Sequence, residues 1–158
     1  GKMPEKEIEN LVTIMQEKWS SIVLKIGKAH KNKDNLKNLV SELFNDVYAF
    51  NYCDVLFKPT LAKKQQFRST KKEFESYFLG QNKVCEEDTG FAIKDWKSIH
   101  FENFKIVNYN DYSLSMGNYY FEDSKDKLLK VEYTFGFIKI NKNELRINLH
   151  HSSLPYDG

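Results

Sequence analysis

The sequence has little that would mark it for a membrane, a nucleic acid or a metal. Cys53 and Cys85 are its only two cysteines. They stand far apart with no Cys-x-x-Cys spacing, so neither a disulfide framework nor a zinc site is specified. Two reduced, partly buried thiols with a structural role are expected. Charge of one sign is also scarce. With 24 basic and 22 acidic residues the formal net charge is +2, and lysines alternate with carboxylates along the whole chain. A nucleic-acid surface concentrates basic charge on one face, and no such block is present. Apolar runs are only a few residues long, too short to span a bilayer. The start, Gly1-Lys2-Met3-Pro4, has no apolar stretch of a secretory signal. It reads as a trimmed end, with room for a targeting segment or further domains outside these residues. Phosphate loops, dinucleotide fingerprints, nucleophile elbows and catalytic triads are absent as well.

What is present suffices for one α+β domain over residues 1–158. A hydrophobic content of 41% with 15% aromatics is enough for a substantial core. Ile8, Leu11, Val12, Met15, Trp19, Ile22, Val23 and Ile26 recur at three- and four-residue steps, the pattern of one long amphipathic helix. Gly27 and Lys31-Asn32-Lys33 are expected to end it. A second helix is expected from Asp34, as N-cap, with Leu36, Leu39, Val40, Leu43, Phe44 and Val47 on its buried face. Asn51–Phe57 reads as extended up to Lys58-Pro59-Thr60, where proline ends the strand. Thr70-Lys71-Lys72-Glu73 is a capping box that opens a short third helix carrying Phe74, Tyr77 and Phe78 on one face. Lys83–Thr89 is expected to be a mobile loop.

From Trp96 onward the period changes to two. Ile99–Val107, Tyr112–Phe121, Leu128–Ile140 and Glu144–Ser153 read as successive antiparallel strands joined by polar turns. Val131, Tyr133, Phe135 and Phe137 form an inward face. Helices followed by a strongly curved, mainly antiparallel sheet give a cone-shaped roll with a pocket at its open end.

Candidate chemistry is confined to few residues. His30, His100, His150 and His151 are the only histidines, and no spacing among them supplies three convergent metal ligands. His150 and His151 adjoin on a strand, where successive side chains point to opposite faces. Continuing the phase of Ile147 and Leu149 sends His151 and Ser153 into the pocket and leaves Arg146, Asn148, His150 and Ser152 on the outer face. A bulge near the end of the strand would reverse that assignment. Taken singly, each candidate has a plain structural explanation. His151 fits a core histidine satisfied by a backbone carbonyl, Thr60 after Pro59 fits turn chemistry, and Tyr77 between Phe74 and Phe78 fits a core tyrosine.

The order of features carries more. Asp54-Val55-Leu56-Phe57-Lys58-Pro59-Thr60, Thr70-Lys71-Lys72-Glu73, Tyr77-Phe78, Val131-Glu132-Tyr133-Thr134-Phe135 and the closing His150-His151-Ser152-Ser153-Leu154-Pro155 together resemble the iota-class carbonic anhydrases. These lie in the nuclear-transport-factor-2-like superfamily, close to the association domain of calcium/calmodulin-dependent protein kinase II. The resemblance runs from about Trp19 to Pro155, and the closing motif is its most specific part. It implies a cone-shaped α+β barrel, frequent homodimerisation, and reversible hydration of carbon dioxide to bicarbonate in a class that includes forms working without a bound metal, so no cofactor is expected; the even charge and short apolar runs already argue against a nucleic-acid or membrane partner. It also implies a pocket of Thr60, Tyr77, His151 and Ser153. In that pocket the Thr60, Tyr77 and Ser153 hydroxyls hold substrate and water, and His151 accepts the proton. The alternatives are a non-catalytic oligomerisation or ligand-binding module like the kinase association domain, and a different small-molecule enzyme on the same fold. Location would follow source: plastid for an alga, cytoplasm or periplasm otherwise.

Overall fold

The computed structural model describes residues 4–158; the sequence reading of Gly1–Met3 lies outside them. Helix α1 (Glu5–Lys31) buries Val12, Met15, Trp19, Ile22, Val23 and Ile26 along one stripe, the face that the three- and four-residue steps describe. Gly27 does not end it. A side chain there would meet the Ala92 carbonyl oxygen at 2.9 Å, so this glycine allows close packing rather than termination. The helix stops four residues later. The Lys33 N–H donates to the His30 carbonyl, the Asp34 N–H donates to the Ala29 carbonyl at 2.8 Å, and Lys33 takes a left-handed conformation at φ 60°. That arrangement closes the helix's last turn.

Asp34 therefore belongs to the end of α1 and does not cap the next helix. Helix α2 (Lys37–Glu42) begins three residues later, with the Asn35 side chain accepting from the Lys37 N–H at 2.8 Å. It runs into a π-helical turn, Leu43–Val47, which Tyr48 closes by donating its N–H to the Leu43 carbonyl. Of the extended stretch expected from Asn51, only Leu56–Lys58 pairs as strand β1. Helix α3 (Lys71–Leu79) opens on the capping box, with Thr70 accepting from the Glu73 N–H and Glu73 accepting from the Thr70 N–H. It closes at Gly80, which adopts φ +66°, a conformation that a side chain would strain.

Strands β2 (Trp96–Tyr109), β3 (Tyr112–Asp123), β4 (Leu128–Asn141) and β5 (Glu144–Ser153) form an antiparallel meander. Strand β1 adds parallel to β5, giving the order β1-β5-β4-β3-β2. The sheet is thus open, with β1 and β2 at its two edges, and the barrel that the resemblance implies is not closed. Register shifts in β2 and between β4 and β5 bend it, as extra residues on one strand do. The helices pack on its inner face, where Tyr119, Phe121, Val131, Tyr133, Phe135, Phe137, Leu145 and Ile147 meet α1 and α3 in one cluster.

The segment Lys83–Thr89, expected to be mobile, is pinned. The Glu87 carboxylate accepts from the N–H groups of Lys63, Lys64 and Gln65 at 2.7–2.9 Å. Asp88 is buried against Arg68 in a bidentate ion pair at 2.6 and 2.9 Å, and it also accepts from the Ser76 hydroxyl at 2.6 Å. Glu87 and Asp88 are thus the loop's anchors, and neither cysteine is in a disulfide.

Candidate active site

Strand β5 decides which residues can react. Gly136 of β4 pairs with Leu149 and Phe137 with Ile147, so Asn148 is an extra residue on β5 and the strand bulges there. Side-chain alternation restarts after it. Leu145 and Ile147 face the core, Leu149 does not, and His150 and Ser152 turn inward, each 1% exposed. His151 is exposed and Ser153 partly exposed on the opposite face. The inward assignment of His151 and Ser153 is therefore corrected to His150 and Ser152. The cause is the one-residue insertion, which shifts every later side chain to the other face.

Around His150 the neighbouring elements supply a closed polar cluster inside an aromatic shell. β1 lays Phe57 beside it in register, the rings stacked at 4.7 Å between centroids. From the end of the π-helical turn, Tyr48 brings its hydroxyl to 2.7 Å from Nδ1. On the far side, the Tyr119 hydroxyl from β3 and the Ser152 Oγ lie 3.0 and 3.1 Å from Nε2, and those two hydroxyls also bond each other. The Trp19 indole N–H donates to the Tyr48 oxygen at 3.1 Å. Thr60, just after Pro59, and Tyr77 of α3 do converge here. The Thr60 side chain lies beside both phenols and offsets part of the rise that burial causes in each, and the Tyr77 oxygen accepts from the Leu61 N–H at 3.3 Å. Thr60, at 9%, is the most exposed member.

Burial sets the charge state of the whole cluster. It pushes the phenols of Tyr48, Tyr77 and Tyr119 above their ordinary range. It holds the His150 imidazole well below its own, with the charge of His151 acting in the same direction. All of these groups are consequently neutral near pH 7. Outside, His151 is lowered by partial burial and by Lys58, and its side chain points away from the cluster. Among the described residues no three His, Cys, Asp or Glu side chains are grouped to hold a metal ion. A surface groove of about 900 Å³ between α1 and the start of β2 is lined by Gln16, Ser20, Lys28, Trp96 and His100 and touches none of the cluster.

The sequence pattern does not single out Tyr48 or Tyr119, and it offers His150 and Ser152 only as the inward pair that a bulge would produce. Tyr119 was within reach, because Ser113, Ser115, Tyr119 and Phe121 occupy alternate buried positions of one strand. Tyr48 was not, because the π-helical turn that aims it leaves no pattern of its own.

Comparison with known proteins gives the geometry its context. A family profile described as metal-independent carbonic anhydrase matches residues 10–154. A metal-independent carbonic anhydrase of Nostoc sp. (strain PCC 7120 / SAG 25.82 / UTEX 2576) is 35% identical over 152 residues, covering 94% of this chain and 74% of that protein. The crystal structure of a cyanobacterial iota-carbonic anhydrase complexed with bicarbonate superposes with a TM-score of 0.88 at 33% identity, over 99% of this chain and 94% of the other. A putative calcium/calmodulin dependent protein kinase II association domain from Xanthomonas campestris shares the fold, with a TM-score of 0.60 at 20% identity over 93% and 87% of the two chains.

Proposed function

The chain belongs to the metal-independent carbonic anhydrases, enzymes that hydrate carbon dioxide reversibly to bicarbonate, and from that premise we propose that its chemistry takes place among Thr60, Tyr77, Tyr119, His150 and Ser152. The observation that supports this most strongly is the burial together of four neutral hydroxyls and one neutral imidazole, with Phe57, Phe135 and Trp19 packed against the imidazole. Carbon dioxide is small and carries no charge, so an apolar cup with a few donors suits it better than a charged site.

Water attacks the carbon, and negative charge builds on the two substrate oxygens as the new C–O bond forms. Fixed O–H donors aimed at those oxygens lower the barrier, because they need no reorganisation and act in a medium from which water is largely excluded. The attacking water must also lose a proton. No group in the cluster is an anion at neutral pH, and His151 faces the other way. A hydroxyl both accepts and donates. It therefore takes the water's proton while handing its own to a carbon dioxide oxygen, and the carbonic acid so formed ionises as it leaves past Thr60. Positioning and donor alignment supply the acceleration.

Stopped-flow hydration measured on protein stripped with chelator tests the reading. The expected result is a rate that survives metal removal and falls by about 10²-fold in Tyr77→Phe, the size of effect that follows loss of one fixed donor. An unchanged rate in Tyr77→Phe would remove that hydroxyl from the reaction.

A further inference from the structure

We propose that Trp19 and Tyr48 are positioning residues that hold His150 as the Nε2–H tautomer, so that the imidazole donates toward Ser152 and Tyr119; this rests on the reading of that cluster as the hydration site. One group in the cluster has no choice of role. An indole N–H can only donate, and the Trp19 Nε1 has the Tyr48 oxygen as its partner at 3.1 Å. The Tyr48 hydroxyl has one further neighbour, Nδ1 of His150 at 2.7 Å. Trp19 and Tyr48 are 1% and 0% exposed. With the indole hydrogen directed at the phenol oxygen, the phenol's own hydrogen goes to Nδ1. The reverse arrangement, Nδ1–H donating to Tyr48, would leave the phenolic hydrogen facing only another donor, and a buried unpaired donor is strongly disfavoured. A neutral imidazole carries a single hydrogen, which then stands on Nε2, 3.0 Å from the Tyr119 oxygen and 3.1 Å from Ser152 Oγ.

The chain of donors therefore has one direction: indole to phenol, phenol to imidazole, imidazole to the reactive hydroxyls. Ser152, accepting from His150, keeps its hydrogen for Tyr119 or for a substrate oxygen. His150 acts here as a donor and not as the store for the water's proton. The strong depression of its proton affinity by burial agrees with that role.

Two departures from regular structure aim the two partners of the central bond. The π-helical turn Leu43–Val47 ends at Tyr48, whose bridge to Ile147 anchors it beside β5. The Asn148 bulge turns His150 inward just beyond that bridge. Such one-residue insertions are enriched where a side chain must be re-aimed. Stacking on Phe57 and an edge contact with Trp19 hold the imidazole plane.

The test is the tautomer itself, read from the ¹⁵N resonances of the His150 ring, together with turnover of Tyr48→Phe and Trp19→Phe. The wild-type protein is expected to show Nδ1 bare and Nε2 protonated. Tyr48→Phe keeps the ring but removes the donor to Nδ1. It should lose the tautomer preference and lower kcat by about 10–100-fold, the range for removing a partner that orients a functional histidine, with KM little changed. If Tyr48→Phe does not fold, Trp19→Phe removes only the group that sets the direction and should give mixed tautomers. A protonated Nδ1 in the wild-type spectrum overturns the inference, as does a folded Tyr48→Phe with both tautomer and kcat intact. Failure of the underlying site assignment is separately visible, as an unchanged rate in Ser152→Ala while the tautomer is as expected.

Discussion

Replacing Ser152 with alanine is expected to lower carbon dioxide hydration by about 10²–10³-fold, the range for removing one fixed donor from a developing oxyanion. The same replacement at Ser153 is expected to leave the rate within about twofold, as surface substitutions do. The two serines are chemically identical neighbours, so any difference between them comes from the backbone. Ser152 is 1% exposed and bonded to Tyr119 and His150, whereas Ser153 lies opposite, at 3.5 Å from Glu132. Stopped-flow assays of both variants, with circular dichroism as the check on folding, decide the matter. A larger loss in Ser153→Ala would mean that the catalytic face of β5 is the outer one.

The largest expected loss of stability is at Arg68. Its guanidinium is 2% exposed and forms a bidentate pair with Asp88, 3% exposed. It also donates to the carbonyls of Gln65 and Glu73 and lies over the Tyr77 ring at 5.7 Å. Arg68→Ala leaves the Asp88 carboxylate buried without its partner, which costs about 3–5 kcal/mol, while replacing both members of such a pair by apolar residues of similar volume is often neutral or better. Urea denaturation should therefore show a large loss in Arg68→Ala and substantial recovery in the double variant Arg68→Met, Asp88→Leu. A small loss in the single variant would mean that water reaches Asp88 in the folded chain. The pair matters to catalysis indirectly, since it fastens the Cys85–Asp88 loop and β1 behind the helix that carries Tyr77.

Much of this architecture was legible in the sequence because it follows from periodicity. The α1 stripe, the capping box at Thr70 and the alternation of Val131, Tyr133, Phe135 and Phe137 on β4 report burial directly, and the bounds of β2–β5 lie within a few residues of those expected. Thr60 and Tyr77 were legible only through the resemblance to a family, since alone each fits ordinary turn or core chemistry. The choice between His150 and His151 was not legible, because a bulge leaves the composition of a strand untouched while inverting its faces. Gly136, opposite the bulge, is the one local hint, as a glycine inside a strand often marks such a defect. The pinning of the Lys83–Thr89 loop was not legible, because Asp88 buried against Arg68 looks, in sequence, like a solvated carboxylate.

The position of bound bicarbonate tests the central claim most directly. A crystal structure of the wild-type protein soaked in bicarbonate is predicted to show the anion enclosed by Thr60, Tyr77, Tyr119 and Ser152, with Ser152 Oγ in hydrogen-bonding contact and His151 outside its reach. Bicarbonate held instead by His151 and Ser153, or in the groove between α1 and β2 with the inner cluster unchanged, would contradict it.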